Sequence, residues 1–459
     1  MNELTHALPG LARILGVILL GSVLSACGDA PPPPAPPVGM AGHENPLLAV
    51  WETEFGVPPF DQIQNDHYLP AFREAMEIHR TEIDAIVENS DAPTFENTIV
   101  ALEEAGALYS RVGRVFGAVN GAHTNDTLTE VARTLAPERA AHGDAVILNP
   151  DLWARVNAVF EQREDLGLTP EQDKLLEETH KGFVRSGAAL DEDSKARIME
   201  INSELAQLST QFGENVLAET NAYELLVTDT ADLGGLPANL VTLAAERART
   251  LGHDDGWAFG LDRPSINPFL EYSPNRELRR DIFMGYALRG DNNNDHDNKR
   301  ILARIAALRA ERARIMGYPS HAHFILEDNM AETPDRVLSF LEEVWRPALD
   351  VAKQERADMQ EMMNAEGVPG KLEGWDWRHY TEKVRRARFA LDQEALLPFF
   401  EVNAVRDGVF MIAGNLYGFT FHEREDLPRW HPDQQVFEVR EADGRHLGVL
   451  YLDFFTRPS

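Results

Sequence analysis

The sequence predicts a mainly α-helical fold with a small β component, and three patterns support this prediction. Apolar residues recur at spacings of 3, 4, 3 and 4 on one helical face, at Ile198, Ile201, Leu205, Leu208 and Phe212. A second apolar series with helical spacing lies between residues 337 and 349. Strand-like segments are few and short, and one pair of them lies near residue 440.

The second apolar series is expected to form another buried helical face. Its members are Val337, Phe340, Leu341, Val344, Trp345, Ala348 and Leu349. Burial of one large side chain stabilises a fold by about 1.5–3 kcal/mol, so we expect both apolar faces to lie in the core. Pro347 falls within this series and is expected to kink or break the helix, because proline cannot donate the backbone hydrogen bond.

Three sites have the residue pattern of a helix start, in which a capping side chain precedes proline. These are Thr169-Pro170, Ser273-Pro274 and Thr333-Pro334. At the first of them, Gln172 stands where a capping box requires Glu or Gln. We therefore expect helices to begin at all three positions.

Four segments are predicted to be strands. Residues 223–227 and 257–261 flank a helical segment, and residues 436–440 and 447–452 form a β-hairpin around Gly444. A two-stranded hairpin is only marginally stable alone, and the printed sequence offers no strand after residue 452. This reasoning suggests that the chain stops inside a domain.

Composition narrows the range of functions. The 459 residues include 43 Lys and Arg and 75 Asp and Glu, so the formal net charge is 43 − 75 = −32. Such a surface repels phosphate backbones, so nucleic acid is not expected as a partner. Cys27 is the only cysteine, which excludes internal disulfides, Cys-rich zinc modules and a thiol nucleophile elsewhere in the chain.

The first 44 residues are expected to export and anchor the protein. Residues 1–26 have the pattern of a secretory signal peptide, which ends in Leu-Ser-Ala before Cys27, as in bacterial lipoprotein signals. Residues 27–44 would then be a lipidated cysteine followed by a stiff proline-rich tether. We expect a lipoprotein on the periplasmic side of a bacterial membrane, at the outer membrane. A plain signal peptide with an incidental cysteine is the alternative.

A search for a metal site from sequence finds no convincing set of ligands. The sequence contains no H-E-x-x-H motif. His43-Glu44 is followed by a helix-interrupting proline, and His422-Glu423 has Asp426 in place of the second histidine. Neither pair is therefore expected to bind zinc.

Two other polar patterns are expected to be structural. His321 and His323 lie at a predicted helix start, where residues two positions apart point in different directions, so a cap or surface pair is favoured over a metal site. An alternating polar series resembles a calcium loop but lacks its required Gly and Glu, which favours a polar loop before a helix: Asp291, Asn293, Asp295 and Asp297.

One aromatic segment offers a candidate binding surface. Residues 375–380 combine aromatic rings and polar tips, as the wall of a binding channel would. The same composition would suit a packing corner, and the sequence leaves both interpretations open. The candidate channel residues are Trp375, Trp377, His379 and Tyr380.

Several short segments, in this order and at these distances, resemble one protein family. They are PFDQI at 59–63, HYLPAF at 67–72, TFENTI at 94–99, NPFL at 267–270, LRAERA at 308–313, MGY at 316–318, GWDWR at 374–378 and VFEV at 436–439. The chain resembles the thimet-oligopeptidase family of zinc metallopeptidases, most closely its bacterial dipeptidyl carboxypeptidase branch. The resemblance extends over residues 45–459. His379 is a small departure, because relatives usually carry Tyr there.

The resemblance implies a zincin-like, neurolysin-like fold of two helical lobes with a channel for short peptides. It also implies release of C-terminal dipeptides, with zinc held by an H-E-x-x-H helix and a later Glu. Residues 45–272 would be an amino-terminal helical lobe with short strands. Residues 273–459 would begin the catalytic domain, which relatives continue into the zinc helix. Because that motif is absent here, no catalytic or metal-binding residue can be assigned.

The resemblance leads to an expected function with one alternative. The complete protein would be a zinc peptidyl-dipeptidase acting on short peptides, and these 459 residues alone would be inactive. An incomplete gene model, or a split protein with a separately encoded C-terminal half as partner, would account for the missing motif. The alternative is a non-catalytic peptide-binding or scaffold lipoprotein that keeps only the helical lobe.

Overall fold

The computed structural model describes residues 39–40, 42–390, 394–455 and 457. Helices make up most of these residues, which confirms the predicted mainly α-helical class. The predicted signal peptide, Cys27 and the proline-rich part of the tether lie outside the described residues. No helix in the described part of the chain is long and apolar enough to cross a bilayer.

Seven α-helices lie between residues 68 and 222. They are α1 (Tyr68–Val87), α2 (Ala101–Glu104), α3 (Ala107–Ala122), α4 (Asp126–Ile147), α5 (Pro150–Glu161), α6 (Pro170–Ser186) and α7 (Glu192–Ala222). A π-helical turn, Phe95–Val100, leads into α2.

The remaining helices of the described chain follow α7. They are α8 (Ala238–Thr250), α9 (Arg263–Tyr272), α10 (Arg276–Ala287), α11 (Lys299–Ile315), α12 (His321–Leu326), α13 (Pro334–Ala365), α14 (Gly374–Phe389) and α15 (Val402–Tyr417). The strands are β1 (Leu225–Val227), β2 (Trp257–Phe259), β3 (Thr420–Glu423), β4 (Gln435–Arg440) and β5 (His446–Leu452).

The amino-terminal helices form two apolar clusters. In the first, α1 packs on α3, and the fully buried Phe72 meets Phe116 edge to face at 5.5 Å between ring centroids. In the second, α5 and α6 close over the π-helical turn, with Leu152 and Leu176 fully buried at its centre. Residues at helical spacing on each helix supply these clusters, as expected for amphipathic helices.

The apolar face predicted on α7 is confirmed. Ile201 and Leu205 are buried against Ile305 and Leu308 of α11, and Phe212 packs at the edge of this cluster. The predicted short strands are also confirmed in shorter form. The antiparallel strands β1 and β2 pair Leu225 with Phe259.

Two of the three predicted helix starts are confirmed, and the third is wrong. Thr169 and Thr333 accept backbone hydrogen bonds at the starts of α6 and α13, and Gln172 completes the predicted capping box. Ser273 instead ends α9, and α10 begins after Asn275. The Asn275 side chain accepts from two backbone amides, so it is the effective cap two residues further on.

The prediction of a buried, interrupted α13 is wrong. The helix continues through Pro347, and its apolar series faces solvent, with Phe340 63% and Trp345 62% exposed. Only its carboxyl end is well covered, where Met359 and Met363 pack on α14. Periodicity correctly indicated an apolar face, but it carried no information about which other residues would cover that face.

The carboxyl-terminal hairpin is confirmed, but the expectation that it lacks a third strand is wrong. Strand β3 comes before the hairpin in sequence and pairs antiparallel with β4, giving the order β3-β4-β5. Phe410 of α15 stacks on Phe421 of β3 at 3.9 Å, which covers part of this sheet. The sheet is therefore stabilised within the described chain by a third strand and by a helix that packs on it.

The same sheet packs on residues from the start of the described chain. The ring of Phe55 stacks on His446 at 3.9 Å, and Arg424 bonds to Glu54 at 2.6 Å. Val57 is buried in a small cluster with Val436 of β4. Residues nearly 400 positions apart are thus in direct contact.

A buried ion cluster joins α14 to α10. Asp376 is fully buried at the start of α14 and accepts hydrogen bonds from Arg276 at 2.7 Å and from Arg279 at 2.9 Å. Arg279 is 2% exposed and also donates to the backbone carbonyl of Ser273. Burial raises the pKa of Asp376, but the hydrogen bonds that it accepts, including those from the two arginines, together with the charge of Arg276 hold the pKa below its ordinary value, so the side chain is ionised at neutral pH.

We expect Asp376→Asn to lower the free energy of unfolding by about 3–5 kcal/mol, because Arg279 would remain buried without its counter-ion. Urea denaturation followed by far-UV circular dichroism measures this change. The control is Glu342→Gln, which removes an exposed pair with Arg346 and should change stability by less than about 1 kcal/mol. Equal effects of the two substitutions would contradict a special role for the buried cluster.

Candidate functional site

The predicted channel residues lie on the first turns of α14 but do not share one face. Trp375 is half-buried and meets Phe283 of α10 edge to face, whereas Trp377 is 38% exposed. His379 and Tyr380 are buried. His379 and Tyr380 therefore lie in the core, whereas both tryptophans keep exposed surface.

His379 and Tyr380 are held by specific polar contacts. The Nδ1–H of His379 donates to the carbonyl of Glu271 at 3.0 Å, and the hydroxyl of Tyr380 donates to Glu366 at 3.2 Å. Burial, with Arg279 nearby, lowers the pKa of His379 to about 4. Burial also raises the pKa of Tyr380 to about 12, so both side chains are neutral at pH 7.

The described residues do not fit a zinc ion. No group of three His, Cys, Asp or Glu side chains among them is arranged to hold a metal. His422 and Glu423, weighed from sequence, are neighbours on β3, where successive side chains point to opposite faces. The Nε2 of His422 lies 3.1 Å from the hydroxyl of Thr420 instead.

The two polar patterns that were expected to be structural are confirmed as such. Ser320 caps α12 by accepting from the backbone amide of His323, so the histidine pair marks a helix start. In the loop before α11, Asp291 and Asp297 both bond to the ammonium group of Lys299 at 2.5 Å. Their carboxylates are therefore paired with an internal cation.

A cavity of about 390 Å³ lies between α4, α6, α7, α11 and α12. Asp144 is buried at its edge and accepts from Asn202 at 2.8 Å, and Arg312 donates to the same Asn202 at 3.2 Å. Burial raises the pKa of Asp144 and lowers the pKa of Arg312. Asp144, Asn202 and Arg312 therefore form a hydrogen-bonded polar cluster at the wall of this cavity.

Sequence reasoning did not single out these three cavity residues. Asp144, Asn202 and Arg312 come from three separate helices and are distant in sequence, so no local motif links them. A single sequence contains no signal that could have identified them.

The buried neutral state of His379 predicts a pH effect on stability. Its pKa is about 4 in the folded chain and near 6.5 in an unfolded one, so the unfolded chain binds more protons between these values. The contribution of His379 is therefore fully present above about pH 6.5 and is lost as the pH falls towards 4, amounting to up to roughly 3 kcal/mol. We expect His379→Gln to reduce this loss.

The measurement is the difference in unfolding free energy between pH 7 and pH 4.5, obtained by urea denaturation. The exposed His422→Gln is the control, because its ring is solvated in both states. If the wild-type protein and His379→Gln lose the same unfolding free energy between pH 7 and pH 4.5, this account of the histidine is contradicted.

Comparison with known proteins identifies relatives over most of the chain. Residues 269–459 match peptidase family M3. The dipeptidyl carboxypeptidase of Salmonella typhimurium is 40% identical over 416 residues, which cover 90% of this chain and 61% of the relative. The Escherichia coli dipeptidyl carboxypeptidase is 39% identical with the same coverage. Oligopeptidase A of Escherichia coli is 30% identical over 420 residues.

This chain therefore spans 61% of the length of these relatives. The segments LRAERA at 308–313, MGY at 316–318, GWDWR at 374–378 and VFEV at 436–439 fall within the matched residues 269–459. The match of residues 269–459 and the identities over nine tenths of the chain confirm the resemblance to peptidase family M3, the thimet-oligopeptidase family.

Proposed function

We propose that this chain is part of a peptidase that hydrolyses short peptides by releasing C-terminal dipeptides. The observation that supports this most is the 39–40% identity to two dipeptidyl carboxypeptidases over 90% of the chain. Oligopeptidase A relatives are only 29–30% identical over nearly the same length. This difference favours dipeptide release over cleavage inside the peptide.

The proposed enzyme depends on zinc, as family M3 generally does, but the described residues of this chain do not fit the metal. We therefore assign no step of hydrolysis to a residue of this chain. The proposal includes the inactivity of the 459 residues alone, because they contain no H-E-x-x-H motif. A non-catalytic peptide-binding or scaffold lipoprotein is the competing function, and the observation that favours it is the lack of a metal-binding group among the described residues.

Within the proposed enzyme, the exposed ring of Trp377 and the half-buried ring of Trp375 are the candidates for peptide contact. His379 and Tyr380 would support them from the core through their bonds to Glu271 and Glu366. Aromatic rings with one free face suit a short peptide whose side chains vary.

The test compares two preparations that carry the same affinity tag in the tether after Pro37. One is purified from the cells that naturally make the protein, and the other is the recombinant 459-residue chain. We expect the native preparation to shorten an octapeptide by two residues from its carboxyl end, with full inhibition by a zinc chelator. The recombinant chain should release nothing, with or without added zinc. Mass spectrometry of the products measures both results.

Three outcomes would count against this proposal or a part of it. Internal cleavage of the octapeptide by the native preparation would favour an oligopeptidase. A native preparation that binds peptides but cleaves none would favour the non-catalytic lipoprotein. Chelator-sensitive release of dipeptides by the recombinant chain would contradict the statement that the 459 residues alone are inactive.

We also propose that the protein is a periplasmic lipoprotein anchored through Cys27. The support is the Leu-Ser-Ala-Cys sequence at the end of the apolar segment and the proline-rich tether that follows it. Lipid attachment would hold the body close to the membrane surface, and two acyl chains or more are needed for stable anchoring.

We expect Cys27→Ser to abolish incorporation of labelled palmitate and to move the protein from the membrane fraction to the soluble periplasmic fraction, because serine cannot form the thioether. Pro33→Ala in the tether is the matched control and should leave both properties unchanged. Wild-type protein that carries no label would disprove the anchor.

A further inference from the structure

Two helices in the family-matched region each carry an apolar stripe that faces solvent. The α13 stripe consists of five exposed residues on one helical face, and its four large residues are 53–62% exposed: Leu338, Leu341, Val344 and Trp345, with Ala348 beside them. The α15 stripe follows at spacings of 4, 3 and 4, with side chains 43–68% exposed: Val405, Val409, Ile412 and Leu416. Contiguous apolar surface of this kind marks an interaction site.

Both helices are held in place by contacts on other sides. The Phe410 ring packs α15 on the carboxyl-terminal sheet, against Phe421. Met359 and Met363 pack the carboxyl end of α13 against Tyr380 of α14. The stripes are therefore presented by anchored helices, and no side chain of the described chain buries them.

We propose that both stripes are the docking surface for a polypeptide equivalent to the section of the M3 relatives that this chain does not span. That section makes up about 39% of the relatives (100% − 61%), and both stripes lie inside residues 269–459. This proposal rests on the proposed function, because the equivalent section would complete the peptidase. Helical stripes with apolar residues at spacings of 3 and 4 are suited to such packing.

Charge argues against two other occupants. A second copy of this chain would bring another net charge of −32 to the interface, which disfavours self-association. An anionic lipid surface would be repelled for the same reason.

The test uses single cysteines, which the sequence makes simple because Cys27 is the only natural one. In a Cys27→Ser background, Leu341→Cys and Ile412→Cys report on the two stripes. Leu302→Cys on α11 is the control, since its exposure of 58% resembles the 53% and 54% of the test positions. Alkylation rates are measured on the chain alone and in the presence of a probe polypeptide.

The probe is the section of the Salmonella typhimurium dipeptidyl carboxypeptidase that has no counterpart in this chain. It is supplied in two forms, co-expressed as a separate polypeptide and joined by a flexible linker after Ser459. We expect either form to slow alkylation at positions 341 and 412 by roughly tenfold or more, with less than about a twofold change at position 302.

Three results would overturn the proposal. The first is no protection by either form of the probe. The second is equal protection at all three positions. The third is protection that appears without the probe, either as the concentration of the chain is raised or on addition of anionic vesicles, which would identify a second copy or a membrane as the occupant.

The labelling requires no catalysis, so its failure is separable from failure of the proposed function. Dipeptide release by the native preparation without protection of the stripes would remove this interface and leave the peptidase assignment. Protection of the stripes without any peptide release would support this interface and count against the peptidase assignment.

Discussion

The apolar face of α7 is the contact on which the arrangement of the other helices depends. Ile201 and Leu205 bury this face against α11, so an amino-terminal helix and a helix about 100 residues later form one cluster. Charged pairs flank the cluster on the same two helices, with Arg197 bonded to Glu311 and Glu204 bonded to Arg304. The apolar contact supplies most of the stability, because exposed ion pairs contribute little.

Further along α7, polar contacts fix the loop that leads into α11. The buried carboxylate of Glu219 accepts hydrogen bonds from the Gly290 backbone and from the side chains of Asn292 and Asn294. Burial raises the pKa of Glu219, but these bonds are among those that lower it below its ordinary value. A single long helix thus determines both the packing of α11 and the conformation of the loop before it.

The sequence was sufficient where the determinants are local. Periodicity predicted the buried face of α7, and capping residues predicted the starts of α6 and α13. The turn residues around Gly444 predicted the hairpin. The sequence alone was insufficient where a structural feature depends on residues that are distant along the chain. The series around Trp345 has the periodicity of a core helix, yet its burial depends on a covering surface that periodicity does not specify. Strand β3 was missed because four residues give a weak alternation signal.

The candidate site shows the same division between local and distant information. Aromatic content correctly drew attention to residues 375–380, but the residue with the most demanding environment there is Asp376, whose two arginine partners lie about 100 positions earlier. The cavity beside Asp144 is assembled from three helices and has no sequence pattern at all. Family resemblance, carried by short ordered segments, was more informative about function than any single motif.

The contact between the carboxyl-terminal sheet and the start of the body constrains the order of folding during synthesis. Glu54 and its partner Arg424 are 370 residues apart. At about 5–20 residues per second, the ribosome needs on the order of 20–70 s to make the second residue after the first. Throughout that interval Phe55 and Val57 lack their final neighbours and must stay free of competing contacts. The proposed export would lengthen this interval, because the chain would stay unfolded until it had crossed the membrane, and chaperones that hold extended segments would suit such a topology.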